Sequence, residues 1–197
     1  RDIYAAGAVQ PGDEDDYFQS SLFTIARRRI LWLLILVLAN GLTTKVIAMN
    51  DQILKELVLL AAFIPLLIGT GGNVGAQSST VVIRGLSTQK LKSLGAVKAV
   101  IKEAITGALL GVLMILVVFP FAWWQGEGPL IAAAVGISLI SITTLAATAG
   151  AILPLLFDRM RLDPALMSSP FITTVTDIAG VFIYLNTATW LLNSSFL

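Results

Sequence analysis

The chain has 197 residues, of which 56% are apolar and only 13% are charged, and its mean hydropathy is strongly positive. This composition is typical of an integral membrane protein and excludes an ordinary soluble domain. The net charge of +1 says nothing about nucleic acid, but no basic cluster interleaved with aromatics appears, so we expect no nucleic-acid partner. Because cysteine and histidine are absent, any bound metal must be held by oxygen, which favours hard cations such as Mg²⁺, Ca²⁺ or Mn²⁺.

The first predicted element is an amphipathic helix that precedes the membrane spans. In the segment GDEDDYFQSSLFTIARRR, Phe18, Leu22 and Ile25 recur at helical spacing, so we expect a helix along the cytoplasmic surface. The acidic residues at its start are either a solvated helix cap or a group that gathers and senses a divalent cation. They are Asp13, Glu14, Asp15 and Asp16. The chain begins at Arg1 without a signal-peptide pattern, so we expect it to be a fragment of a longer protein.

Five predominantly apolar spans follow, at 30–49, 54–86, 97–123, 129–157 and 170–192. The fold class is therefore predicted to be an all-α integral membrane protein with five transmembrane helices. If the N-terminus is cytoplasmic, only Lys45 and Lys55 among the basic residues fall outside, which predicts this orientation and an external C-terminus. Five spans cannot supply an inverted-repeat pair of equal halves, so dimerisation is the simpler route to a symmetric pathway.

The second span contains the glycine-rich stretch GTGGNVGAQSS at 69–79, directly after the apolar run LVLLAAFIPLLI. As a helix, that run of about 12 residues covers roughly 18 Å of a ~30 Å hydrocarbon core, so Asn73 and Gln77 fall inside the membrane. The stretch lacks the spacing of a nucleotide-binding loop. Close helix packing explains Gly107 and Gly111 in GALLG, but here the density of glycines and amides exceeds what packing requires. We therefore predict a break in the helix that lines a water-filled pore, where freed carbonyls and amides contact a hydrated cation.

The fifth span carries one acidic residue well inside its apolar stretch, Asp177 in SPFITTVTDIAGVFIYL. An acid at the centre of a membrane helix costs about 2.5–3.5 kcal/mol on insertion scales, so such residues generally face a cavity and mark a pathway. Thr173 and Thr174 precede it at helical spacing and place hydroxyls on the same side. The alternative is an aspartate that bonds to these threonines for packing alone. Glu103 and Glu56 are weaker candidates, because each lies near the end of a span.

Two stretches, PLLIGTGGNVGAQSSTVVIRGLST and RLDPALMSSPFITTVTD, together with the five-span layout, resemble the membrane domain of the MgtE family of magnesium channels and transporters. The resemblance implies a homodimer in the bacterial inner membrane, with the second and fifth helices lining a central pore for largely hydrated Mg²⁺. It implies that 1–29 is a connecting helix that plugs the pore and that 30–197 is the pore domain. Family members usually carry cytosolic Mg²⁺-sensing domains, which are missing from these residues.

The same resemblance assigns roles to individual residues. Asp177 is expected to be the pore carboxylate, and Asp163 is expected to contribute to a further cytoplasmic Mg²⁺ site. Position 76 is alanine, where some members carry asparagine, so the set of pore amides differs at that point. The carbonyls expected to contact the ion's water shell belong to Gly69, Gly72 and Thr173, and the further pore-lining residues are Asn73, Gln77 and Thr174.

The sequence predicts a channel selective for Mg²⁺, with Mn²⁺ or Ca²⁺ as alternative ions, and three other functions remain as alternatives. The nearest is a coupled transporter that exchanges Na⁺ for Mg²⁺. An intramembrane aspartyl protease needs two carboxylates that share a proton, and only Asp177 lies well inside a span, so we expect no enzymatic activity. A structural anchor in the lipid bilayer would leave Asp177 and the glycine-rich stretch unexplained.

Overall fold

The fold is taken from a computed structural model, which describes residues 21–51, 54, 58–89, 91, 95–124, 128–162 and 164–194. These residues form five α-helices with short connections. The helices are α1 (Leu22–Met49), α2 (Val58–Ser87), α3 (Ala96–Trp124), α4 (Gly128–Arg159) and α5 (Pro164–Ser194). The predicted all-α class is confirmed, and each predicted span has a corresponding helix.

Four of the helices, α2 to α5, are long and apolar enough to cross a membrane. The apolar part of α1 within the described residues, Leu33–Met49, is shorter than the roughly 20 residues that a spanning helix needs. A fifth crossing therefore stays a prediction. The residues of α1 before the predicted span, from Leu22 onward, are helical and continue into it without a break. The acidic half of the predicted amphipathic helix lies outside the described residues.

The central element of the bundle is α4, which packs against α2, α3 and α5. Its fully buried residues include Ala132, Val135, Leu139, Ile142 and Ala146. Small and branched side chains dominate this surface, as expected where helices pack without a hydrophobic driving force between them. α5 also packs against α2, and α1 contacts the bundle chiefly through α5.

Glycines set the close approach of α3 to α4. A Cβ atom added at Gly107 would lie 2.5 Å from the carbonyl oxygen of Thr143, and one at Gly111 would lie 2.6 Å from Cα of Ile140. Gly107 lies against Thr143, whereas Gly111, which comes later on α3, lies against Ile140, which comes earlier on α4. The two helices are therefore antiparallel. The prediction that this glycine pair serves helix packing is confirmed.

The glycine-rich stretch of α2 is an unbroken α-helix, so the predicted break is wrong. A Cβ added at Gly71 would lie 2.7 Å from Cγ2 of Ile142, and one at Gly75 would lie 3.2 Å from the carbonyl oxygen of Ala146. Helical hydrogen bonds satisfy the backbone where water is absent. Each glycine costs about 1 kcal/mol of helix propensity relative to alanine, and at these two positions the close packing offsets that cost.

The tightest approach between α2 and α4 generates a prediction about stability. A Cβ added at Gly150 would clash with the backbone carbonyl oxygen of Gly75 and lie 3.0 Å from Cβ of Ser78. Because backbone cannot rotate away as a side chain does, Gly150→Ala should destabilise the bundle by about 1–3 kcal/mol, the usual cost of overpacking.

Thermal unfolding of the purified protein in detergent would measure this effect. The matched control is Gly41→Ala, because a Cβ at Gly41 meets no atom within 4 Å. An unchanged unfolding midpoint for Gly150→Ala would contradict the packing described here.

Candidate ion site

The glycine-rich stretch of α2 lies directly against the threonine-rich stretch of α5. A Cβ added at Gly72 would lie 3.8 Å from Cγ2 of Thr173, and one at Gly71 would lie 3.8 Å from Cβ of Thr176. Gly71 lies near Thr176, whereas Gly72, which comes later on α2, lies near Thr173, which comes earlier on α5. These helices are therefore antiparallel. The same register places Asp177 level with Gly69. The two motifs that the sequence singled out therefore meet in one region of the fold.

Asp177 is half-buried and lies one turn after Thr173 on the same face of α5. Among the described residues its carboxylate has no hydrogen-bond or ion-pair partner. The neighbouring Thr176 is fully buried and points toward α2, and its hydroxyl donates to the carbonyl oxygens of Ile172 (2.8 Å) and Thr173 (2.9 Å). The helix's own backbone thus binds this hydroxyl, while the carboxylate remains available to a ligand.

The glycines of α2 fall into two groups with different surroundings. Gly71 and Gly75 are buried against α4 and α5. Gly69 lies on the opposite side, where an added Cβ would meet no atom within 4 Å, and it is exposed. Open space therefore exists beside α2 at the level of the Asp177 carboxylate.

Two amides continue this open face of α2. Asn73 and Gln77 follow Gly69 at intervals of four residues, and both are exposed. Among the described residues neither side chain has a hydrogen-bond partner. Together, Gly69, Asn73 and Gln77 form a stripe that we call the polar face of α2. Exposed, unpartnered amides at membrane depth are suited to contact water or a hydrated ion.

The remaining predicted site residues fall in two classes. Thr174 is half-buried beside Asp177 on α5. Asp163 and the acidic residues 13–16 lie outside the described residues, so their proposed roles stay predictions. Within the described ranges, no three acidic side chains come together to hold a metal. Within α2 and α5, Asp177 is the one acidic residue.

The sequence analysis did not distinguish the glycines of α2 that pack against other helices from those that are exposed. The signal was present, because Gly71 and Gly75 have the spacing of the small-xxx-small pattern that brings membrane helices together. Thr176 was also missed as a residue between α2 and α5. In the structure Thr176 lies one turn after Ile172, which contacts Gly75, and so belongs to the buried face of α5.

Comparison with known proteins identifies the family. The family model MgtE, described as a divalent cation transporter, matches residues 64–187. A magnesium transporter MgtE of Thermus thermophilus is 36% identical over 193 residues, which are 98% of this chain and 42% of that protein. Its counterpart in Bacillus subtilis is 33% identical over 182 residues, or 92% of this chain and 40% of that protein.

A third relative, the magnesium transporter MgtE of Enterococcus faecalis, is 34% identical over 164 residues, or 83% of this chain and 36% of that protein. The chain thus spans about two fifths of the length of the curated relatives it matches. The matched family region begins in α2 and ends in α5, and it includes the polar face of α2 and Asp177. The resemblance inferred from the two sequence motifs is confirmed: the chain belongs to the MgtE family of divalent cation transporters.

Proposed function

We propose that this chain forms the pore of a homodimeric Mg²⁺ channel, with α2 and α5 of both protomers lining the pathway. The observation that carries the proposal is the carboxylate of Asp177, which has no partner among the described residues and lies level with the open space at Gly69. The names of the relatives, which are magnesium transporters, favour Mg²⁺ as the ion. The basic ends of α2 and α4 would face the cytoplasm of a bacterial inner membrane, in agreement with the positive-inside rule.

Charge explains why such a pore would select a divalent cation. α5 contains no lysine or arginine, and the only one in α2 is Arg84 near its C-terminal end. In a two-fold pore, two copies of Asp177 would face one axis, and two ionised carboxylates in a low dielectric repel each other. One divalent cation neutralises both carboxylates, whereas a monovalent cation leaves a net negative charge.

The polar face of α2 supplies groups for the water shell of the ion. Mg²⁺ dehydrates reluctantly and usually keeps several waters while one or two carboxylates hold it. Although α2 is unbroken, a helical carbonyl oxygen that accepts one hydrogen bond retains a second lone pair. Gly69 and Gly72 have no side chain of their own beside the carbonyl, and Gly69 is exposed, so we infer that these carbonyls accept hydrogen bonds from waters of the ion. The amides of Asn73 and Gln77 and the hydroxyls of Thr173 and Thr174 extend this lining.

The first test concerns the carboxylate. Asp177→Asn keeps the shape of the side chain but removes its charge, so it should sharply reduce Mg²⁺ flux and abolish the block of monovalent current by divalent cations. Flux into liposomes and the oligomeric state in detergent should be measured together. Asp51→Asn, an exposed acid after α1, is the control and should behave as the wild type. Wild-type Mg²⁺ flux through a correctly assembled Asp177→Asn protein would refute the pore model.

The second test concerns the polar face of α2. Because the chain contains no cysteine, single-cysteine variants report on one position at a time. Asn73→Cys and Gln77→Cys should react rapidly with a charged thiol reagent in the membrane, since a pore supplies the water that forms the reactive thiolate. Leu109→Cys, on the exposed apolar side of α3, should react far more slowly. Equal rates at all three positions would exclude a water-lined face on α2.

The third test separates a channel from an exchanger. Mg²⁺ flux into liposomes should follow the Mg²⁺ gradient and the membrane potential, and imposing or removing an Na⁺ gradient should leave the rate unchanged. A flux that requires outward Na⁺ movement would identify the protein as a coupled transporter. Such a result would leave the Asp177 site in place but reject the channel mechanism.

A further inference from the structure

A cavity of about 740 Å³ lies where α2 ends, α3 begins and α4 ends. Its described lining includes neither Asp177 nor any residue of the polar face of α2. Its described lining is Leu86, Gln89, Leu91, Gly95, Ala96, Ile152, Leu155, Leu156, Asp158 and Arg159. The cavity therefore has an apolar wall along α4 and a charged rim at the end of that helix.

The apolar wall is continuous with the outer surface of the bundle. Ile152 and Leu156 line the cavity, yet 45% and 46% of their surfaces are exposed. These residues belong to a membrane-crossing helix, so the cavity opens sideways toward lipid. From Ile152 to Arg159 the helix rises roughly 10 Å. That depth allows the first carbons of an acyl chain to lie on the wall while a headgroup reaches the rim.

The rim lies at an end of the bundle where basic residues outnumber acidic ones. The described basic residues at the ends of these three helices are Arg84, Lys98, Lys102, Arg159 and Arg161, and the acidic ones are Glu103 and Asp158. Among the described residues, the guanidinium of Arg159 has no ion-pair partner. It also donates no side-chain hydrogen bond to a described residue, so its N–H donors can bind a phosphate in bidentate geometry.

The end of α4 holds Arg159 in a defined position. The backbone N–H of Leu162 donates to the carbonyl oxygen of Phe157 (2.9 Å), and that of Arg161 donates to Asp158 (3.0 Å). Arg161 adopts the left-handed conformation, with φ of 59°. These are the bonds of a closed helix end, so the guanidinium of Arg159 extends from a rigid backbone at the rim.

We propose that this cavity binds an anionic phospholipid, with its phosphate at Arg159 and one acyl chain along Leu156 and Ile152. Basic pockets between membrane helices are suited to such headgroups. The sideways opening favours a lipid over a soluble anion, because a soluble anion has no acyl chain to pack against the apolar wall. The cavity shares no described lining residue with the proposed ion site, and the proposal holds whichever ion the protein transports.

Lipid binding to the purified full chain tests the proposal directly. Native mass spectrometry in detergent would compare dioleoylphosphatidylglycerol with dioleoylphosphatidylcholine at equal concentrations. We expect tighter binding of phosphatidylglycerol, and Arg159→Gln should weaken it by about five-fold, the contribution of one basic residue near an anionic lipid. Arg161→Gln is the matched control, because Arg161 lies two residues away but does not line the cavity, and it should change the affinity by less than Arg159→Gln does.

Two further variants test the apolar wall. Ile152→Trp should fill part of the cavity and weaken the binding of both lipids, and helix content and monodispersity would show that the protein is folded. Leu156→Cys, in a chain without other cysteines, would form a disulfide-linked dimer if a second copy covered the cavity. Such cross-linking, equal affinity for the two lipids, or equal losses in Arg159→Gln and Arg161→Gln would each overturn the proposal.

Discussion

The close approach of α2 to α4 is the constraint on which the rest of this structure depends. At Gly75 and Gly150 the two backbones meet without intervening side chains. Dispersion contacts are individually weak and add up only when many atoms reach contact distance, and in a membrane they are not assisted by the hydrophobic effect. Glycine permits that distance. Because α4 is also the helix against which α3 and α5 pack, this one contact sets the position of α2 relative to the whole bundle.

The same contact sets the rotation of α2 about its own axis. With Gly71 and Gly75 turned toward α4 and α5, the residues on the other side of the helix must face away from the protomer. That side carries Gly69, Asn73 and Gln77. The outward orientation of these polar residues is thus a consequence of packing on the opposite face. One short stretch of sequence carries both a structural and a proposed functional role. An amide at position 71 would instead be buried against Ile142.

Much of the fold follows from the sequence, because the thickness of a bilayer sets how long an apolar run must be. The spans predicted at 97–123 and 129–157 agree with α3 and α4 to within a few residues. α5 begins earlier than predicted, at Pro164, and the sequence held a signal for this, since proline suits the first position of a helix. Asp177 could be selected because it is a lone acid inside an apolar span.

What the sequence did not reveal depends on contacts between distant segments. Glycine-rich stretches usually indicate loops, and the sequence of 69–79 does not itself predict that Gly150 lies against Gly75. Packing against α4 and the need to satisfy backbone hydrogen bonds where water is absent together explain why the helix continues. The level of Asp177 relative to Gly69 likewise depends on the antiparallel register of α2 and α5, which no single segment encodes. Tertiary packing overrides local propensity at these positions.

The peripheral position of α1 has a mechanical consequence. Since α1 contacts the bundle chiefly through α5, a force applied to α1 reaches the rest of the protein mainly by way of α5. Asp177 belongs to that helix. α2 is held against α4 by backbone contacts that leave little freedom to slide. A pull on the N-terminal end of α1 would therefore reach the helix that carries the carboxylate first, and it would reach the polar face of α2 only through the packing of α5 on α4 and α2.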